Sequence, residues 1–186
     1  SFGASLTSFK LSTVTDAYID SNAVIAVGGD LTVSAHADET GDLVSLAGTG
    51  GASLVVGIQY AEALVSSSQS AVINSGVQVL QADTVEISAS HSRDMQADAT
   101  GGALGAIAAG VSAARVDLGG TVQAGLGNDT RFGTVDGLGY PNSTIGSLTI
   151  DAFSEVTRAK AEANAVAGGI LSGAGTDTDG LIDPTV

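Results

Sequence analysis

The chain has 186 residues, enough for one or two domains, and carries 26 glycines but no cysteine and no tryptophan. Six basic residues stand against 20 acidic ones, a net charge of −14, which argues against nucleic acid and anionic lipid as partners because both need a basic surface. The apolar 44% is mainly Ala and Val with only 4% aromatic, so apolar area comes in small pieces that suit a thin, regular interior better than one large core.

Fifteen of the acids are Asp, a residue of turns, caps and oxygen-rich cation sites, and only five are the helix-favouring Glu. Without cysteine there is no disulfide framework. Ser1-Phe2-Gly3 does not open a secretory leader, and membrane insertion is not expected, since Ala103 to Ala114 is too short and too broken by Gly105, Gly110 and Ser112 to cross a bilayer. The pattern runs unpunctuated to both ends, which suggests a piece of something longer.

In chain order, the first signals are Gly3-Ala4-Ser5-Leu6 and Ala23-Val24-Ile25, followed by the turn Gly28-Gly29-Asp30 and the alternating strand Leu31-Thr32-Val33-Ser34-Ala35. Gly51-Ala52-Ser53-Leu54 repeats the first of these, and Leu54, Val56, Ile58 and Tyr60 then share one face of a strand. Ala71-Val72-Ile73 repeats the second. These two matches, Gly3 to Gly51 and Ala23 to Ala71, share one offset, whereas the strand recurs at a slightly longer one as Val85-Glu86-Ile87-Ser88-Ala89. The difference is assigned to a longer connection at Asn74 to Asp83. Gly102-Ala103-Leu104, Gly120-Thr121-Val122 and Gly168-Gly169-Ile170-Leu171 are looser copies. Gly125 to Ser147 reads as an inserted loop, and after it the strand returns, at a longer offset still, as Leu148-Thr149-Ile150-Asp151-Ala152.

Helix is the competing reading for Glu155 to Val166 and for the Ala-rich 101–114. Val, Thr, Ser and Gly and the recurring period of two favour an all-β chain. The expectation is a parallel β-helix or β-solenoid with repeats of about fifty residues. One continuous segment would span 1–186, with units near 1–30, 31–84, 85–147 and 148–186 and a loop at 125–147. Stacked repeats would close each other's apolar faces, with Asn, Asp and Gly at left-handed corners. Coils of ~20–25 residues would make roughly eight layers and ~40 Å at the strand spacing.

With the segments 29–35, 83–89 and 146–152 laid out, the chain resembles the repeat regions of large secreted bacterial adhesins of the filamentous haemagglutinin group, including the leukotoxin-type filamentous adhesins. The resemblance implies a right-handed parallel β-helix, export to the cell surface, and a scaffold or adhesive role without catalytic residues. The implied partners are copies of the chain or flanking repeats stacked end to end, and host or matrix glycans.

Candidate sites are few. Asp177, Asp179 and Asp183 form an alternating carboxylate pattern around Gly180 that suits a calcium loop if the segment turns tightly. Calcium is the one candidate ion, and no cofactor is required. Gly125-Leu126-Gly127-Asn128-Asp129 is a single Gly-rich segment of a kind that binds calcium only in stacked copies. Asn128 and Asn142 each begin an Asn-x-Ser/Thr glycan acceptor pattern. His36 and His91 follow their strands by similar distances, with Phe153 in the corresponding place of the third copy, which speaks for repeat geometry rather than proton transfer. Asp38 with Asp42 and Asp94 with Asp98 are spaced by four but share no assured face. No nucleophile elbow, phosphate loop or His-rich metal motif is present, so enzyme activity is not expected. The alternatives are a polysaccharide-acting β-helix enzyme and a calcium-stabilised secretion module.

Overall fold

A computed structural model describes residues 1–133 and 144–185. Among them there is no helix. Ten strands follow one another: β1 (Phe2–Leu11), β2 (Val14–Ile19), β3 (Val24–Ala26), β4 (Leu31–Gly50), β5 (Leu54–Ile73), β6 (Gln78–Leu104), β7 (Ile107–Leu126), β8 (Arg131–Phe132), β9 (Ile145–Gly168) and β10 (Leu171–Thr185). The stretches with helical propensity, 101–114 and 155–166, are extended. Ala and Glu fit a strand there because the inward positions Ala159, Ala161 and Ala163 pack against the core, a tertiary gain that overrides a weak local preference.

Every pairing among the described residues is parallel, in two five-stranded sheets. In the first, β1 and then β2 lie along β5, β7 follows β5, and β10 follows β7. In the second, β6 is the hub: Gln78 pairs with Val24 of β3 and Arg131 of β8, and Val85 pairs with both Leu31 of β4 and Leu148 of β9. The three copies of the alternating strand therefore form one ladder, in the register that their sequence similarity predicts.

The shorter offset is not used. Gly3 pairs with Gly57 rather than Gly51, and Ala71-Val72-Ile73 pairs with Ala17-Tyr18-Ile19 rather than 23–25. Both offsets are even, so either keeps inward residues inward, and Ala/Gly/Val tripeptides are too frequent here to decide between them. The corners do decide. Asn22 (φ 62°), Gly76 (φ 75°) and Asp129 (φ 58°) are the left-handed residues of three equivalent turns, and Asn22 N–H donates to the Ser75 carbonyl as Gly76 N–H does to that of Asn128. Asn, Gly and Asp are the residues that tolerate this conformation. The segment 74–83 is thus no longer than its counterpart one circuit earlier.

A residue and its hydrogen-bonded neighbour are separated by one full circuit through both sheets, as in Leu31 with Val85 and Leu54 with Ile107. The same separation recurs in side-chain contacts between layers, such as Asp30 with Thr84 and Ser68 with Thr121. One circuit therefore takes more than twice the chain expected for a single coil. The chain makes three circuits and begins a fourth with β10. Four levels at the strand spacing span only ~15 Å. Val79 faces Phe132 but Ala82 faces Ile145, so the third circuit takes up additional chain between Phe132 and Ile145. The register shifts once more where Arg93 faces Val156 and Asp94 faces Arg158, leaving Thr157 as a bulge.

The two sheets pack through their inner faces. One apolar cluster centres on Ile73, Val79, Val85 and Ile87, and a second on Val65, Met95, Val116 and Leu118. The middle circuit, β5 and β6, is the best buried because it alone is covered on both sides by complete circuits.

Candidate functional site

Alternation along β4 and β6 decides what enters the interior. Val33, Ala35 and Leu43 point inward on β4, and Glu39 shares their phase. On β6 the inward series is Val85, Ile87, Ala89, His91, Arg93, Met95 and Ala97. A carboxylate, an imidazole and a guanidinium are thereby carried between the two apolar clusters. Arg93 is fully buried and is the largest such side chain, His91 is 1% exposed and Glu39 6%.

The three groups form a chain of hydrogen bonds. His91 Nε2 lies 2.8 Å from Glu39 Oε2, and His91 Nδ1 lies 2.6 Å from Arg93 Nη2. Both ring nitrogens face the guanidinium, since Arg93 Nε also lies 3.3 Å from Nε2, and the shorter contacts decide: Nδ1 accepts from Arg93 Nη2, and the ring proton sits on Nε2, which donates to the carboxylate. Glu39 Oε1 also accepts from Thr13 Oγ1 at 2.7 Å and from the Ser67 hydroxyl. Arg93 Nε stands 4.0 Å from Glu39 Oε2. With a neutral imidazole, the cluster holds one cation and one anion and is balanced. Gly120, at φ 136°, makes room for it: a Cβ there would run into the Ser67 carbonyl and approach Arg93 Nη2 to 3.0 Å.

The titration of each group follows from this setting. Burial drives the His91 pKa below its ordinary value, and the Arg93 charge adds to that, against the opposing pull of Glu39. Burial pushes Glu39 upward, but hydrogen bonds from Ser67, Thr13 and His91 together outweigh it and hold the carboxyl lower than usual. Burial lowers Arg93, which remains charged. Satisfaction is incomplete: Arg93 Nη1 and both amide atoms of Gln69 are buried and find no partner among the described residues.

The sequence signals that could have found this site are Glu39 and Arg93, charged residues in the inward phase of strands that are otherwise apolar. Distance from the repeated strand groups His91 with His36, but the register separates them. Phe153 is equivalent to His36 through Ser90, whereas His91 is equivalent to Ala37 and Ser154. The two histidines occupy opposite faces. His36 is exposed, with Nδ1 2.7 Å from Ser90 Oγ and Nε2 2.9 Å from Asp38 Oδ2.

On the outer faces, acids line up across circuits with the few bases among them. Arg158 reaches Asp42 at 2.8 Å and Asp94 at 2.5 Å, and Arg115 reaches Asp117 at 3.0 Å with Glu62 and Asp179 each at 3.9 Å. These exposed pairs are worth little individually. Asp177, Asp179 and Asp183 lie on β10, opposite Ala113, Arg115 and Gly119. The tight turn that would converge them is replaced by an extended strand. Among the described residues, no group of three His, Asp or Glu side chains is placed to share a metal ion. Asn128 is exposed at the third corner, where the Thr130 hydroxyl donates to the Gly127 carbonyl at 2.8 Å. Asn142 lies outside the described residues. No family model, no curated protein and no solved structure matches the chain.

Proposed function

We propose that the chain is a non-catalytic structural or adhesive segment of an extracellular bacterial surface fibre, built as a parallel β-solenoid. The observation that carries the reading is the single ladder formed by Leu31, Val85 and Leu148, continued by the equivalent left-handed corners at Asn22, Gly76 and Asp129. A chain that returns to the same register after each circuit builds length by adding circuits, and each circuit closes the apolar face of the one before. Two features support a scaffold: the Glu39–His91–Arg93 cluster is sealed inside, and on the outer faces Asp42, Asp94 and Glu162 are paired with Arg158 and Lys160. Partners would be flanking repeats or further copies joined at the open strand edges, with host or matrix glycans as targets of the outer faces.

The test is electron microscopy and fibre diffraction of the chain at rising concentration. Rods with a ~4.8 Å repeat along their length support the reading. Particles that stay compact and monomeric at all concentrations, or turnover of a neutral or acidic polysaccharide, would sink it.

A further inference from the structure

The interior cluster joins two circuits. Glu39 and Thr13 belong to the first, and His91, Arg93 and Ser67 to the second. We propose that this cluster is an acid-sensitive seam, at which protonation of His91 opens the joint between the circuit of β1–β4 and the circuit of β5–β6.

The geometry sets the direction. The only site on His91 that can take a proton is Nδ1, and Nδ1 is already the acceptor for an Arg93 N–H 2.6 Å away. A proton there turns an acceptor into a second donor aimed at a guanidinium, and both side chains are buried away from the surface where solvent would screen two adjacent cations. The charged groups within reach are Glu39 and Asp38 on β4 and Arg93 on β6 itself. The neighbours supplied by the other elements are uncharged: Ser67 on β5, Gly120 on β7, and Ser154 and Val156 opposite on β9. Glu39 is the sole buried anion among the described residues and is already shared with Thr13 and Ser67, so it can balance one cation, not two. The proton is instead taken up in the opened form, where the imidazole is solvated and regains its ordinary pKa of about 6.5.

The linkage sign follows. The closed form holds His91 below its solvated value, so above about pH 6.5 neither form is protonated and the seam is fully stable. As pH falls below that value the opened form binds a proton that the closed form refuses, and the seam weakens until the depressed pKa of the closed form is reached. Opening can remain local because each circuit of such an array contacts only its neighbours.

Hydrogen exchange by mass spectrometry on the intact chain between pH 8 and 5 tests the proposal, with rates corrected for intrinsic chemistry. Opening of 31–50 should rise up to tenfold per pH unit below about 6.5, the limit for one linked proton, while 107–126 changes far less. The same experiment on His91→Gln should give a flat profile, and on His36→Gln the unaltered slope. Uniform exchange across the chain, or a slope that survives His91→Gln, would overturn the proposal. Should His91→Gln fail to fold, nitrogen-15 spectra of the wild-type imidazoles decide. The proposal requires an Nε2–H tautomer whose titration in the closed form lies below the ordinary imidazole value, and a His91 ring that titrates near about 6.5 with no gain in exchange would refute it.

Discussion

Replacing one inward residue at equivalent places in two circuits measures how much each circuit depends on its neighbours. Ile87 on β6 pairs with Val33 on one side and Ile150 on the other, and is fully buried. Ile150 on β9 occupies the same place one circuit on, but is 41% exposed. Truncation to Ala removes three carbons. At about 0.8 kcal/mol for each buried methylene, Ile87→Ala loses about 2.4 kcal/mol of transfer energy, and a closed cavity brings the total to about 3–4 kcal/mol. Ile150→Ala loses roughly three fifths of the transfer energy and leaves an open notch in place of a cavity, so its cost is about 1–1.5 kcal/mol. Urea unfolding followed by circular dichroism at pH 7.5 gives both values, provided that the slopes agree with wild type. Equal losses within about 0.5 kcal/mol, or a larger loss for Ile150→Ala, would refute the idea that neighbouring circuits seal each other's apolar faces.

Gly120→Ala should destabilise the chain by about 2 kcal/mol or more, since it combines a left-handed φ with a collision at the Ser67 carbonyl; a melting curve within a degree of wild type would contradict the placement. Gln69→Leu should raise the melting temperature, because it replaces two buried, unpartnered amide atoms with apolar surface, a gain of about 1 kcal/mol. Glu39→Gln should cost about 3–5 kcal/mol at pH 7 by leaving Arg93 without its counter-anion. Glu39 has a lowered folded pKa, so its contribution is complete above about pH 4.5 and fades as pH falls through the lower native value; urea midpoints of the variant between pH 5 and 3 should lack that limb. Calcium and chelator should leave the melting temperature of the chain unchanged, because Asp177, Asp179 and Asp183 are strung along a strand; a rise of several degrees with calcium would contradict this.

The all-β character was legible in the amino-acid sequence by itself, and so was one true register. The alternation in Leu31-Thr32-Val33-Ser34-Ala35 and its two copies needs only the two-residue period of a strand, and three copies of one pattern stack on themselves. Asn22, Gly76 and Asp129 were legible as a class, residues suited to left-handed corners, though not as equivalents. Tertiary structure decided the circuit length. Local pattern records which face a residue takes but not how far the chain travels before it meets itself, so the two offsets looked alike and a much shorter coil stayed plausible. It also decided the chemistry of the interior. Glu39 and His91 are far apart along the chain, His91 and Arg93 are near neighbours, and each alone reads as an ordinary polar residue on a strand. Their meeting depends on the return, after one full circuit, that puts β4 beside β6, and a buried ion pair exists only where two distant segments exclude water from the same place.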